Sequence, residues 1–147
     1  MLRCPTRLVA DPRGAGANAI IRVLVGAVFL SEGVQKFLFP AALGIGRFEH
    51  IGIPVPQVSA HFVGVIEIAC GALLLAGLCT RLAALLLLFD ICVAIATTKI
   101  PMLFAKGFWA TAHEARTDWS MLLGLFFLLV SGAGEYSLDA RLAARME

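Results

Sequence analysis

The stretch AIIRVLVGAVFLSEGVQKFLF, residues 19–39, decides the fold. A helix that crosses a bilayer needs about 20 mostly apolar residues, and this stretch supplies them. It also carries Arg22, Glu32 and Lys36. A charge at the centre of a spanning helix costs roughly 2.5–3.5 kcal/mol even on the mildest insertion scale. These charges therefore need partners, from other helices of the chain or from a ligand, and that requirement predicts a bundle.

The rest of the composition agrees. Of 147 residues, 60% are hydrophobic and 15% charged, and the mean hydropathy is +0.90. A soluble domain is nearer half apolar and a quarter charged. The surplus is gathered into long runs, as in membrane proteins. A net charge of +2, with no basic stripe interleaved with aromatics, excludes a nucleic-acid binder. Arg3, Arg7 and Arg13 superficially resemble the start of a signal peptide, but the apolar run exceeds the roughly 7–15 residues of such peptides and reads as a retained helix.

Working outward, residues 1–17 (Pro5, Pro12, Gly14, Gly16) read as a flexible cytoplasmic N-terminal tail. Residues 18–134 read as a four-helix transmembrane domain with spans at about 18–39, 57–78, 81–100 and 117–133. Asn18 is a candidate cap, and Pro40 and Pro101 are candidate stops. Loops are expected over 40–56 and 101–116. The link Cys79-Thr80-Arg81 is so short that the second and third spans must be antiparallel neighbours. Residues 135–147 read as a cytoplasmic C-terminal tail. Four spans return both termini to one side, where Arg3, Arg7, Arg13, Arg22, Arg81, Arg141 and Arg145 lie. The other side has Arg47, Lys106 and Arg116, with Lys36 and Lys99 at helix ends. The positive-inside rule then makes both termini cytoplasmic. The expected fold is all-α, an antiparallel four-transmembrane-helix bundle, multi-pass in the inner (cytoplasmic) membrane.

Each span brings an ionisable group to the middle or outer half of the membrane. Glu32 and Lys36 share a face at i, i+4, with Lys36 high enough to snorkel to headgroups. Glu67 falls at the centre of the second span and Asp90 at the centre of the third, and Lys99 and Asp118 lie near the far ends of the third and fourth. Small residues lie on the same stripes: Gly26, Phe29, Gly33 and Lys36 in the first, Gly64, Glu67 and Gly71 in the second, and Ala83, Leu87, Asp90, Ala94 and Thr97 in the third. The fourth offers Ser120, Gly124, Phe127 and Ser131. Small stripes let helices approach closely in lipid, so the acids should face one another. Two readings stay open. One is an ion network around Lys36 that only fixes packing. The other is a polar pocket opening outward, of the kind a proton carrier or quinone-headgroup site needs, with Glu67 central.

Other motifs add less. Cys70, Cys79 and Cys92 read as small apolar packers, with a thiol relay as the alternative, although no Cys-x-x-Cys is present. His113, Glu114 and Asp118 could meet on one turn, but without a second cluster no metal site is expected. His50 and His61 lie on the same far side. Trp109 and Trp119 suit interfacial anchors. Phosphate-loop, dinucleotide and Gly-x-Ser-x-Gly motifs do not occur.

RVLVGAVFLSEGVQKF (22–37), GIPVP (52–56), FVGVIEIACGALLLAGLCTRLAALLL (62–87) and GAGEYSLD (132–139), in this order, make the chain resemble the DoxX family of small four-helix membrane proteins. The resemblance covers nearly the whole chain. The family pattern is matched by Arg22, Gly33, Lys36, Glu67, Gly71, Gly77 and Arg81. The resemblance implies a bundle in the bacterial inner membrane and a link to redox complexes. A DoxD-type relative is a subunit of a thiosulfate:quinone oxidoreductase, and another associates with a thiol-oxidative-stress complex. No fused soluble redox domain is expected from these 147 residues, so catalysis is left open. The expectation is an accessory or quinone-contacting subunit of a sulfur- or thiol-linked redox system, with quinone as the one candidate cofactor. Its partners would be the lipid bilayer, a soluble redox enzyme or membrane complex, and a second copy of the chain. The alternatives are a non-enzymatic chaperone, assembly or interaction protein, and a small-molecule or proton transporter.

Overall fold

A computed structural model describes residues 15–144. Among them the secondary structure is entirely helical. Three helices are long and apolar enough to cross a membrane: Gly16–Leu38, Pro56–Ala76 and Thr80–Lys106. The elements in order are α1 (Ala15–Leu38), α2 (Ile45–His50), α3 (Pro56–Ala76), α4 (Thr80–Ala94), a π turn (Ile95–Lys99), α5 (Ile100–Lys106), α6 (Phe108–Glu114), α7 (Arg116–Ser131) and α8 (Leu138–Ala143).

Glycines set the distance between α1 and α3. A Cβ on Gly33 would stand 2.8 Å from the Gly64 carbonyl oxygen, and one on Gly26 would stand 2.9 Å from that of Gly71. The pairing of 26 with 71 and 33 with 64 makes the helices antiparallel and brings backbone against backbone, the contact small residues permit in lipid. On α7 the inward stripe is Met121, Leu125 and Leu128, with Gly124 against Val25. Ser120, Phe127 and Ser131, expected on that stripe, are exposed. Of that set only Gly124 points at a neighbouring helix. The core is a column of Val25, Phe29, Cys70, Leu74, Ala83, Ala84, Leu87 and Leu125. The opposite faces carry exposed Ile20, Phe62, Phe89, Leu123 and Phe126. An apolar exterior around a thin core is the arrangement lipid solvates and water does not.

The helix ends follow from local chemistry. Pro56 stands in the first turn of α3, where its missing N–H goes unneeded. Gly77, at φ +68°, closes that helix, with Leu78 N–H on the Leu73 carbonyl and Gly77 N–H on that of Leu74. This is a Schellman cap, which needs the left-handed residue. The α4 N-terminus is capped from a distance: Asp139 accepts from the N–H groups of Cys79 (2.8 Å) and Thr80 (3.0 Å), a carboxylate at the positive end of a helix dipole. Asp139 N–H returns to the Gly77 carbonyl. Asn18 donates to Gly132 O, Arg22 to Tyr136 O and Arg81 to Val130 O. Residues 132–139 thus strap together α1, the α3–α4 turn and the end of α7.

Several expectations need correction. Pro101 does not stop the third helix. The preceding turn widens, with Ile100 N–H bonded to Ile95 O, and the helix continues to Lys106. A π turn relieves the clash between the proline ring and the carbonyls before it, and so absorbs the missing donor. The stretch 101–116, expected as a loop, is helical, broken at Gly107 (φ +81°). The loop 40–56 contains α2. Of the expected N-terminal tail, residues 15–17 are the first turn of α1, and residues 1–14, with Cys4, lie outside the described residues, as do 145–147. Residues 135–144, expected as part of the C-terminal tail, hold the end of the strap and α8. Cys70 is a buried packer as expected, but Cys79 and Cys92 are exposed thiols.

Gly33→Leu is expected to lower thermal stability in detergent by about 1–3 kcal/mol through overpacking at the backbone contact. Gly16→Ala, with nothing within 4 Å of the new Cβ, should be neutral or slightly stabilising. Asp139→Ala, which uncaps α4, should cost about 0.5–2 kcal/mol in the same melt.

Candidate functional site

The far end of the molecule, away from the strap, contains a cavity of about 340 Å³. α1 contributes Phe29, Glu32 and Lys36, α3 contributes Glu67, and α4 contributes Asp90 and Ile91. The π turn adds Thr97, Thr98 and Lys99, and α7 adds Thr117, Asp118 and Met121. Leu43, Arg47, Phe48, Ile51 and Ile53, from α2 and its flanks, form an apolar roof with one guanidinium. Phe48 is buried there, because a six-residue helix following Leu43 turns its one large aromatic inward.

All six residues singled out for a polar pocket (Glu32, Lys36, Glu67, Asp90, Lys99 and Asp118) line this one cavity. Two ion pairs organise them. The Lys36 Nζ donates to Glu67 Oε2 at 2.5 Å, joining α1 to α3, and both side chains are almost fully enclosed. The Lys99 Nζ lies 3.3 Å from Asp118 Oδ2, joining the π turn to α7. Lys36 turns inward instead of snorkelling outward. Glu67, buried in the α3 face, offers it a carboxylate, and an enclosed pair is stronger than the same charges in a headgroup layer. Glu32, one turn before Lys36 on α1, stays exposed at the cavity edge. Asp90 lies beside Glu67, and Lys36 attracts both carboxyl groups. Among the described residues Glu32, Asp90 and Glu114 make no ion pair.

Five carboxyl groups (Glu32, Glu67, Asp90, Glu114, Asp118) and three cations (Lys36, Arg47, Lys99) therefore share the lining. Sequence reasoning placed Thr97 on the Asp90 stripe but missed Arg47, Thr98, Glu114 and Thr117 as cavity residues. Arg47 sits on a helix too short to show periodicity. Thr98 lies in the π turn, next to Thr97 on the lining. Their proximity to Pro101 was the available signal.

The family-pattern residues split between the two ends. Gly33, Lys36, Glu67 and Gly71 build or approach the cavity. Arg22, Gly77 and Arg81 lie at the strap end. Arg22 is 4% exposed, donates to Tyr136 O at 2.6 Å, and packs against Gly77 so closely that a Cβ there would fall on the guanidinium.

Apolar helices closed around a charged cavity define a small polytopic membrane protein. The chain belongs to the DoxX family, whose model matches residues 17–100. It is 57% identical over 131 residues to an uncharacterized membrane protein of Mycobacterium tuberculosis, covering 85% of this chain and 80% of that one. It is 29% identical over 120 residues to CatD of Bacillus subtilis, named provisionally as an oxidoreductase, with 82% of each covered. It is 34% identical over 126 residues to an uncharacterized protein of Haemophilus influenzae, covering 82% of this chain and 87% of that one. No solved structure matches the chain significantly.

Lys36→Met leaves Glu67 enclosed without its cation and is expected to cost about 3–5 kcal/mol. The double variant Lys36→Met/Glu67→Leu should recover most of that loss. A double-mutant cycle of thermal unfolding in detergent checks both.

Proposed function

We propose that this protein is a four-span inner-membrane subunit of a redox system that contacts quinone in the cavity between its helices. α7 is the fourth span. Its 16 residues reach about 24 Å, short of the roughly 30 Å hydrocarbon core. Local thinning accommodates that difference at fractions of a kcal/mol per Å. The exposed apolar face of Leu123, Phe126 and Val130 supports this reading, since only lipid would solvate it. With four spans, the strap end and both termini are cytoplasmic, and the cavity opens in the outer half of the membrane.

The observation that carries the proposal is the cavity itself. Its volume suits a small-molecule site, and such sites combine apolar walls with a few placed polar groups. Here Phe48, Leu43 and Ile53 offer the wall for an aromatic ring. Lys36, Lys99 and the carboxyl groups of Glu67 and Asp90 offer the polar end and the proton exchange that a quinone–quinol couple requires. Electrons come from a partner enzyme. The provisional oxidoreductase name of the Bacillus subtilis relative supports the same class. Sulfur- or thiol-linked partners follow from the family resemblance.

Purification in mild detergent is expected to retain quinone detectable by its ultraviolet absorbance and chromatography. Glu67→Gln should reduce the bound quinone severalfold while the protein still folds. Unchanged quinone in the variant, or none in the wild type, would count against the proposal. For topology, a membrane-impermeant maleimide should label the exposed Cys79 only after cells are opened, whereas Ala110→Cys should label in intact cells.

A further inference from the structure

Two carboxyl groups and one ammonium meet on the cavity lining. Glu67 of α3 is 4% exposed, and Lys36 Nζ donates to its Oε2 at 2.5 Å. Asp90 of α4 is hydrogen-bonded to the same glutamate. An ionised carboxylate only accepts hydrogen bonds, and a carboxyl group donates only when it carries a proton. A hydrogen bond between Asp90 and Glu67 therefore requires one proton, and two ionised groups cannot make it.

The charges around the pair lead to the same count. From α1 it meets Lys36 and Glu32. From α3 it meets Cys70, a buried thiol in the field of Asp90. Lys99 of the π turn is engaged with Asp118 of α7, and Arg47 stands exposed on α2. Among the described residues Lys36 is thus the cation that acts on both carboxyl groups. With both ionised, one ammonium would face two carboxylates, leaving one enclosed negative charge in excess, and Glu32 would add to it. With one proton between them the trio is neutral. An unpaired charge in an enclosed site is costly enough that the group takes up a proton instead, and two carboxylates sharing a site titrate as a pair.

We propose that Glu67 and Asp90 hold one proton between them in the resting protein, so that the pair carries a single negative charge and Lys36 cancels it. The contact of α3 with α4 is then a proton-binding site. This goes beyond the quinone reading and does not depend on it, because the pair holds its proton whether or not a ligand is present. To any ligand in the cavity it offers a stored proton. Once that proton passes to an acceptor atom of the ligand, two carboxylates are left on one ammonium, and the excess negative charge draws a proton back from water.

The test is infrared spectroscopy of the full chain at neutral pH, purified without added quinone in a detergent free of ester groups. A protonated carboxyl group has a C=O stretch apart from the carboxylate bands, and the stretch moves down in D2O. The wild type should show this band with the intensity of a single carboxylic acid per chain. Asp90→Asn, whose amide still donates to Glu67, should abolish it. So should Glu67→Gln, in which Asp90 alone answers Lys36 and ionises. Glu32→Gln and Glu114→Gln should keep it. Should the two pair variants fail to fold, the wild type and these two controls decide, and the band in all three supports the proposal. A wild type without the band overturns it, as does loss of the band in either control or its survival in folded Asp90→Asn. Quinone retention, read separately by chromatography, stands or falls independently of every one of these outcomes.

Discussion

A carboxylate cannot stay alone in hydrocarbon, and the contact between Lys36 and Glu67 is this chain's answer to that constraint. The pair forms because two glycines let it. Gly33 lies three residues before Lys36, and Gly64 three before Glu67, so the closest backbone approach of α1 and α3 sits one turn from the charges. A bulkier residue at either position would push the helices apart and carry the ammonium away from the carboxylate. The glycine stripe and the ion pair are one device. Sterics sets the distance, and electrostatics makes that distance worth keeping.

The same logic recurs on the other side of the molecule in different materials. α4 and α7 are joined at the far end by Lys99 and Asp118, and at the near end by Arg81 reaching Val130. The two antiparallel pairs meet closely near the strap, where Val25 packs on Gly124 and Asn18 reaches Gly132. Toward the far end they enclose the cavity instead of each other. Space for a ligand therefore arises from the way the helices are tied. They are held tightly at one end and, at the other, linked within each pair by long side chains, with Asp90 of α4 meeting Glu67 of α3 between the pairs. The π turn before Pro101 contributes Thr97, Thr98 and Lys99 to the lining.

Much of this was legible in the chain. The demand for partners in 19–39, the small-residue spacing in the first three helices and the central placement of Glu67 and Asp90 are one-dimensional features with direct spatial meaning. Hence all six pocket candidates line a single cavity. What the chain hid is equally physical. A proline in an apolar run usually ends a helix, and nothing local reveals that a widened turn will carry it onward. Helices of six or seven residues, such as α2 and α6, are too brief for periodicity to appear. Side-chain direction is also undetermined by position: Lys36 had the reach to go outward, and only the tertiary location of Glu67 turns it in. The role of the GAGEYSLD segment was invisible for a similar reason, since its partners are about 60 and 114 residues away in sequence.

That segment has a consequence for biogenesis. Residues 132–139 are synthesised after every long helix, yet they supply the acceptor for Arg22 and the cap for α4. Until they arrive, the nascent bundle holds a guanidinium without its carbonyl and a helix with open amides. Closure of the bundle at the strap end is thus a late event, and a chain cut short before it would keep an unfinished, recognisable end.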